Sequence, residues 1–150
     1  MKLEDEIKQT KPFKSEIQKL LLNIAVTSSY LNNALNDMLK PYDLTPHQYN
    51  VLRILKGKHP ESYCNQDITQ RMIDKSSNAT RIVDKLLEKK LVIRSENKTD
   101  RRQVNIKIND KGIAILDNIE KNPFSERITF KNISDENAKQ MNLWLDEIRG

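Results

Sequence analysis

The chain has 150 residues, enough for one domain with its own core. Its 31% charged residues, 5% aromatics and three glycines favour helices over a β-sandwich or barrel. The apolar runs are only a few residues long, as in LLNIAV, which excludes a transmembrane helix, and MKLEDEIKQTK offers no signal-peptide core. The net charge of +5 is concentrated in one place: residues 65–112 hold twelve Lys or Arg against seven Asp or Glu, while the remainder is balanced. A localised cationic surplus points to an anionic partner, nucleic acid first, with a solvated basic face as the plainer reading.

From residue 15 to residue 40, Ile17, Leu21, Ile24, Leu31, Leu35 and Met38 recur at helical spacing, up to Pro41. About 26 residues at 1.5 Å each make a helix of roughly 39 Å, longer than a compact small domain needs. Part of its apolar stripe is therefore expected to meet another subunit. Thr45, Pro46 and Gln48 form a helix start: a cap, a proline in the first turn and the third-position partner of a capping box. Val51, Leu52, Ile54 and Leu55 face inward, and Gly57 is expected to close that helix.

A polar connector with Pro60 leads to a short helix near residues 65–73, capped by Cys64 or Asn65. The next helix is the most regular in the chain. Ala79, Ile82, Val83, Leu86 and Leu87 fall on one stripe, with Ser76 as the expected N-cap and Ser77, Asn78, Arg81, Asp84 and Lys85 on the other face. Residues 91–96 (LVIRSE) and 104–108 (VNIKI) read as a β-hairpin joined by a tip containing Lys98, Asp100, Arg101 and Arg102. Asn109 can cap a further helix with Ile113, Leu116 and Ile119 inward. A linker with Phe124 and Phe130 follows, and Ser134 starts a last helix striped by Ala138, Met141, Trp144, Leu145 and Ile148.

Helix, short helix, polar-faced helix and hairpin, in that order, is the plan of a winged helix-turn-helix, in which the second helix of the pair enters the major groove. Ser76, Ser77, Asn78, Thr80, Arg81 and Lys85 then sit where bases and phosphates are read: arginine suits guanine, asparagine suits adenine, and hydroxyls suit either. The arginines of the tip suit a narrow minor groove, where negative potential is concentrated. Asp100 can hold the Arg102 guanidinium in a fixed orientation.

Three segments, TPHQYNVLRIL (45–55), SSNATRIVDKLLEKKL (76–91) and DRRQVNIKINDKG (100–112), together resemble the MarR family of bacterial transcriptional regulators. The wing signature carries most of the likeness: Asp, one residue, Arg, an alternating strand, then Lys-Gly at the next helix. One departure is Lys90, where the family often has the glycine that a left-handed helix end favours.

The resemblance implies a mainly α, single-domain fold with a small β-hairpin wing. Residues 15–40 and 110–149 would supply dimerisation helices, and residues 45–109 a DNA-binding lobe. It implies Arg102 in the minor groove, organised by Asp100 with Lys98 and Arg101 beside them, and a homodimeric repressor on a pseudo-palindromic duplex. A small aromatic or anionic effector is implied between the dimer helices and the lobe, with Tyr30, His47 and Arg53 as candidate contacts. A winged helix that docks protein partners, its basic face idle, is the alternative.

Enzymatic chemistry has little to work with. His47, His59 and Cys64 match no zinc spacing, and there is no phosphate-binding glycine loop and no nucleophile elbow. No cofactor and no metal is expected. Cys64, as a single cysteine, cannot form an internal disulfide, which suits a reducing, cytoplasmic setting. Peroxide-sensing relatives carry their reactive cysteine near the start of the long first helix, where this chain has none, so Cys64 is expected to be a small half-buried structural residue.

Overall fold

The structure, a computed structural model, describes residues 1–97, 103–122 and 132–150. A single turn, α1 (Leu3–Glu6), precedes the long helix α2 (Glu16–Leu39), where the Ser15 side chain accepts from the Gln18 N–H. Pro41 does not simply stop α2. Its fixed φ and missing N–H suit the start of a 3₁₀ turn (Lys40–Tyr42), which ends at Asp43 with φ of 51°.

Helix α3 (Pro46–Lys58) opens with the expected capping box between Thr45 and Gln48. Gly57 does not close it. The helix continues through Gly57 to Lys58 and gives way at His59, next to Pro60.

The connector contains a short strand the sequence did not reveal, β1 (Tyr63–Cys64), followed by α4 (Asn65–Arg71). Between the two candidate caps of α4 the structure selects Cys64, whose sulfur accepts from the Asp67 N–H while the Asp67 carboxylate accepts from the Cys64 N–H.

Helix α5 (Ala79–Glu88) begins later than expected. Asn78, not Ser76, is its N-cap, accepting from the Arg81 N–H at 3.1 Å. At its other end Lys90 takes the left-handed conformation, φ 59°, despite carrying a side chain. Its N–H reaches Leu87 O and the next N–H, of Leu91, reaches Leu86 O, the paired bonds of a Schellman end. Asn109 Nδ2 on Lys90 O and Lys111 Nζ on Lys89 O hold that turn from outside.

Strands β2 (Val92–Glu96) and β3 (Val104–Ile108) pair antiparallel from Val92↔Ile108 to Glu96↔Val104. β1 adds to the far edge of β3 with Tyr63↔Ile106 and Cys64↔Asn105, so the sheet order is β1-β3-β2. In β3 the alternation works as read: Ile106 and Ile108 are buried and Lys107 between them is exposed. In β2 only Val92 is buried, because the strand leaves the core as it runs towards the tip.

Helix α6 (Asp110–Glu120) is capped by Asn109, and α7 (Asp135–Arg149) by Ser134, both as expected. Phe124, Phe130 and the tip residues Lys98, Asp100, Arg101 and Arg102 lie outside the described residues.

The core centres on α3. Val51, Leu52 and Leu55 meet Ile68 of α4, Val83 and Leu86 of α5, Ile106 and Ile108 of the sheet, and Leu116 and Ile119 of α6. Each such buried aliphatic side chain stabilises by about 1.5–3 kcal/mol relative to exposure. Only the last part of α2 reaches this core, with Met38 and Leu39 buried in it and Leu35 packed against it. Two ion pairs, Lys56–Asp117 at 2.7 Å and Arg53–Glu120 at 2.7 Å, fasten α6 to α3. Lys89 Nζ bonds Gln48 Oε1 and Asp43 O, tying the end of α5 to the turn after α2.

Candidate nucleic-acid interface

The apolar stripe of α5 fixes which of its residues can meet a partner. With Ala79, Val83 and Leu86 buried, Thr80, Arg81 and Lys85 are turned outward. Arg81 has an exposed side chain and no described side-chain partner. Lys85 pairs with Glu88 at 2.9 Å, and Asp84 with Arg94 of β2 at 3.4 Å. The second of these pairs fastens the outer face of α5 to the wing.

The segment before α5 is organised by one carboxylate. Asp74 Oδ1 accepts from the Ser76 N–H at 3.0 Å and from its hydroxyl at 2.6 Å, and Oδ2 accepts from the Ser77 hydroxyl at 2.8 Å. His47 Nε2 stands 3.3 Å from the same Oδ2. These donors, the Ser76 hydroxyl foremost, hold the Asp74 carboxyl far below the usual carboxylate range. Ser76 and Ser77 are therefore not helix caps but ligands of an Asx-type turn. Asn78 is also engaged. Its Oδ1 caps the helix, leaving the amide N–H groups as its free side, whereas pairing with adenine uses the oxygen as well.

A groove of about 300 Å³ runs between the N-termini of α3 and α5, lined by Thr45, His47, Ser77, Asn78, Arg81 and Lys85. Four of the expected DNA-reading residues thus share one surface. His47, expected among effector contacts, lies with them. Arg53 is engaged on the other side of α3 by Glu120 and, at 3.5 Å, by the Tyr49 hydroxyl. Tyr30 is 57% exposed on α2, and no described contact joins it to either. The three effector candidates therefore do not converge on one described cavity.

Sequence reasoning missed Asp74. The signal was present as Asp-x-Ser-Ser, an acceptor two and three residues ahead of hydroxyl donors, the signature of a side-chain-closed turn.

Cys64 is half-buried and its thiol donates to the Asp67 carboxylate at 3.2 Å, the first cause of that carboxyl's lowered pKa. That is a structural role. Among the described residues no three His, Cys, Asp or Glu side chains gather to hold a metal, and no helix is long and apolar enough to cross a membrane.

The family model for the transcriptional regulators SarA/Rot matches residues 33–119, from the second half of α2 to the end of α6. The chain belongs to that family, within the MarR type of winged-helix regulators. It is a DNA-binding transcriptional regulator and not an enzyme.

The HTH-type regulator MhqR of Bacillus subtilis (strain 168) is 34% identical to it over 106 residues, 68% of this chain and 70% of the relative. YkoM of the same organism, an uncharacterised HTH-type regulator, is 31% identical over 80 residues, 53% and 51% of the two chains.

Among solved structures, a mutant MarR from E. coli in complex with operator DNA superposes with a TM-score of 0.74 at 23% identity, covering 92% of this chain and 99% of that one. The repressor CouR bound to a 23-mer DNA duplex gives 0.75 at 20%, covering 94% and 100%. At those identities the likeness establishes the fold. It bears out the winged helix-turn-helix read from the sequence, with β1 as a third strand.

Proposed function

We propose that this SarA/Rot-family regulator acts as a homodimeric repressor on a pseudo-palindromic duplex in the cytoplasm. The observation that carries the proposal is the uncovered apolar surface of the two flanking helices. Of the 24 residues of α2 only Met38 and Leu39 are buried, and α7 buries none. Leu20, Ile24, Leu31, Trp144 and Ile148 instead line an apolar groove of about 520 Å³ between the two helices. Leu21 is 67% and Trp144 55% exposed. A contiguous apolar patch at both ends of a chain fits a second copy, because pairing α2 and α7 with their equivalents buries every element of the patch at once.

Such a dimer presents two copies of α5 and the wing to one face of the duplex, at half-sites about one helical turn apart. Arg81, Lys85 and Thr80 would meet the major groove. Arg102, held by Asp100 and flanked by Lys98 and Arg101, would meet the minor groove.

A small aromatic or anionic effector would release the DNA by altering the spacing of the two lobes, with Tyr30, His47 and Arg53 as candidate contacts. CouR from Rhodococcus jostii RHA1 has been solved with p-coumaroyl-CoA, which supports a ligand of that general kind.

The deciding experiment is fluorescence anisotropy with duplex from upstream of the regulator's own gene and a scrambled control, across a salt series. Tight binding to the first and weak, salt-steep binding to the second supports a specific operator. No binding to either at low salt would favour partner docking instead.

A further inference from the structure

The Asp74 turn assigns a polarity to the two serine hydroxyls in front of the recognition helix. An ionised carboxylate has only acceptor sites, about four lone pairs on two oxygens. In Asp74 three are filled, by the N–H and hydroxyl of Ser76 on Oδ1 and the Ser77 hydroxyl on Oδ2, and His47 Nε2 stands 3.3 Å from Oδ2. A serine hydroxyl has one proton and two lone pairs. With each proton committed to Asp74, Ser76 and Ser77 have only lone pairs to offer. Phosphate oxygens are acceptors too, so neither hydroxyl is free to donate to the DNA backbone. In the major groove the hydrogen-bond donors are the exocyclic amino groups of adenine and cytosine, whereas guanine O6 and N7 and thymine O4 are acceptors.

We propose that Asp74 is a specificity-determining positioning residue, which makes Ser76 and Ser77 acceptor-only readers and so selects an adenine or cytosine amino group beneath this turn. The inference rests on the operator-binding reading above. The Asp74 oxygens are turned to the serines, so it acts through them. His47 of α3 stands beside the same carboxylate, so the turn is referenced to the lobe as well as to its own helix.

The test uses the full-length chain. Random-duplex selection with the wild type defines the half-site, and anisotropy then compares every single-base variant of it for wild type, Asp74→Asn and Ser77→Ala. Asparagine keeps the shape but replaces one acceptor by an amide donor, so at least one hydroxyl is released or reversed.

The wild type is expected to favour A or C over G or T by about tenfold at a position that Ser77→Ala also affects. Asp74→Asn should reduce that preference to about threefold or less. Its affinity for scrambled duplex should stay the same or rise, because one negative charge has left the face that meets DNA, and its thermal midpoint at pH 7 should fall, because the carboxylate's contribution is lost, while the chain still folds.

An unchanged base preference in Asp74→Asn would overturn the inference. So would equal gains on specific and scrambled duplexes, which would make Asp74 a plain surface anion. If Asp74→Asn does not fold, Ser77→Ala decides: loss of an amino-base preference supports the assignment, and retention of every preference overturns it. Failure of the wild type to select any sequence would overturn the operator reading itself, and this inference with it.

Discussion

Lys90 occupies a left-handed helix end where glycine has no steric cost, yet the Schellman bonds still form. The conformation is imposed by both neighbours, since Leu91 and Leu86 are buried on one side and Asn109 grips the Lys90 carbonyl on the other. Replacing a side chain at φ of 59° by glycine removes a penalty of about 1 kcal/mol. Lys90→Gly is therefore expected to raise the urea midpoint with an unchanged m-value. Gly112 is the reverse case. A Cβ there would meet the Leu91 carbonyl and, at 2.7 Å, Ile108 Cγ1, because α6 turns directly against the start of the wing. Gly112→Ala should destabilise by about 1–3 kcal/mol, read from the same denaturation curve. The glycine that ends the wing signature is thus a packing requirement.

Asp74 gives the residue scale its pH signature. Its carboxyl is lowered in the fold, chiefly by the Ser76 and Ser77 hydroxyls, so its contribution is in place above the unfolded carboxylate pKa of about 3.9. The contribution is lost as pH falls through the folded value. Asp74→Asn should therefore flatten the acid limb of a stability-against-pH curve, below about pH 4, which thermal melts across that range would show.

At the scale of elements, helices with a strong apolar period and an unambiguous cap were legible. Thr45, Asn109 and Ser134 all cap where the pattern put them. The failures share one cause: local chemistry decided between near-equivalent candidates. Ser76, Ser77 and Asn78 are three consecutive cap-type residues, and the choice fell on Asn78 because Asp74 takes both hydroxyls. Gly57 looked like a stop, but nothing required a positive φ there, and the helix ran on towards Pro60. β1 has two residues and exists only because β3 offers an open edge, so it had no period to detect.

Of the candidate site, the outward face of α5 was legible from its inward one, whereas the Asp74 contacts depend on a turn closing in space. Arg81→Ala is expected to lower operator affinity by about 1–3 kcal/mol and relax one base position. Arg102→Ala should cost a similar amount, and unchanged anisotropy for a folded Arg102 variant would remove that residue from the site.

At the scale of the whole molecule, charge and apolar surface are segregated. The cationic surplus lies in residues 65–112, while the uncovered apolar stripes lie on α2 and α7. The first suits an anion and the second a dry contact. Leu21 and Ile148 are exposed in the single chain, so exchanging them for glutamate leaves the lobe core intact. The Leu21→Glu, Ile148→Glu variant is expected to sediment as a monomer. It should lose about 10²–10⁴ in operator affinity, the gain that joining two reading heads provides. Retained dimer mass would place the self-contact elsewhere.

The joint between α2 and the lobe has a mechanical consequence. Lys89 is bonded to the Asp43 carbonyl and to Gln48, and α6 is pinned to α3, so the lobe, the 3₁₀ turn and the end of α2 form one piece. Helix α2, with 24 residues, is an arm of about 36 Å. A rotation of only about 5° at one end of an arm that long displaces the other by about 3 Å, close to the 3.4 Å step between neighbouring bases on a strand. In the proposed dimer the lobe is the far end of that arm, so a tilt of α2 at its N-terminal end would act as a vernier and shift a reading head by nearly one base pair.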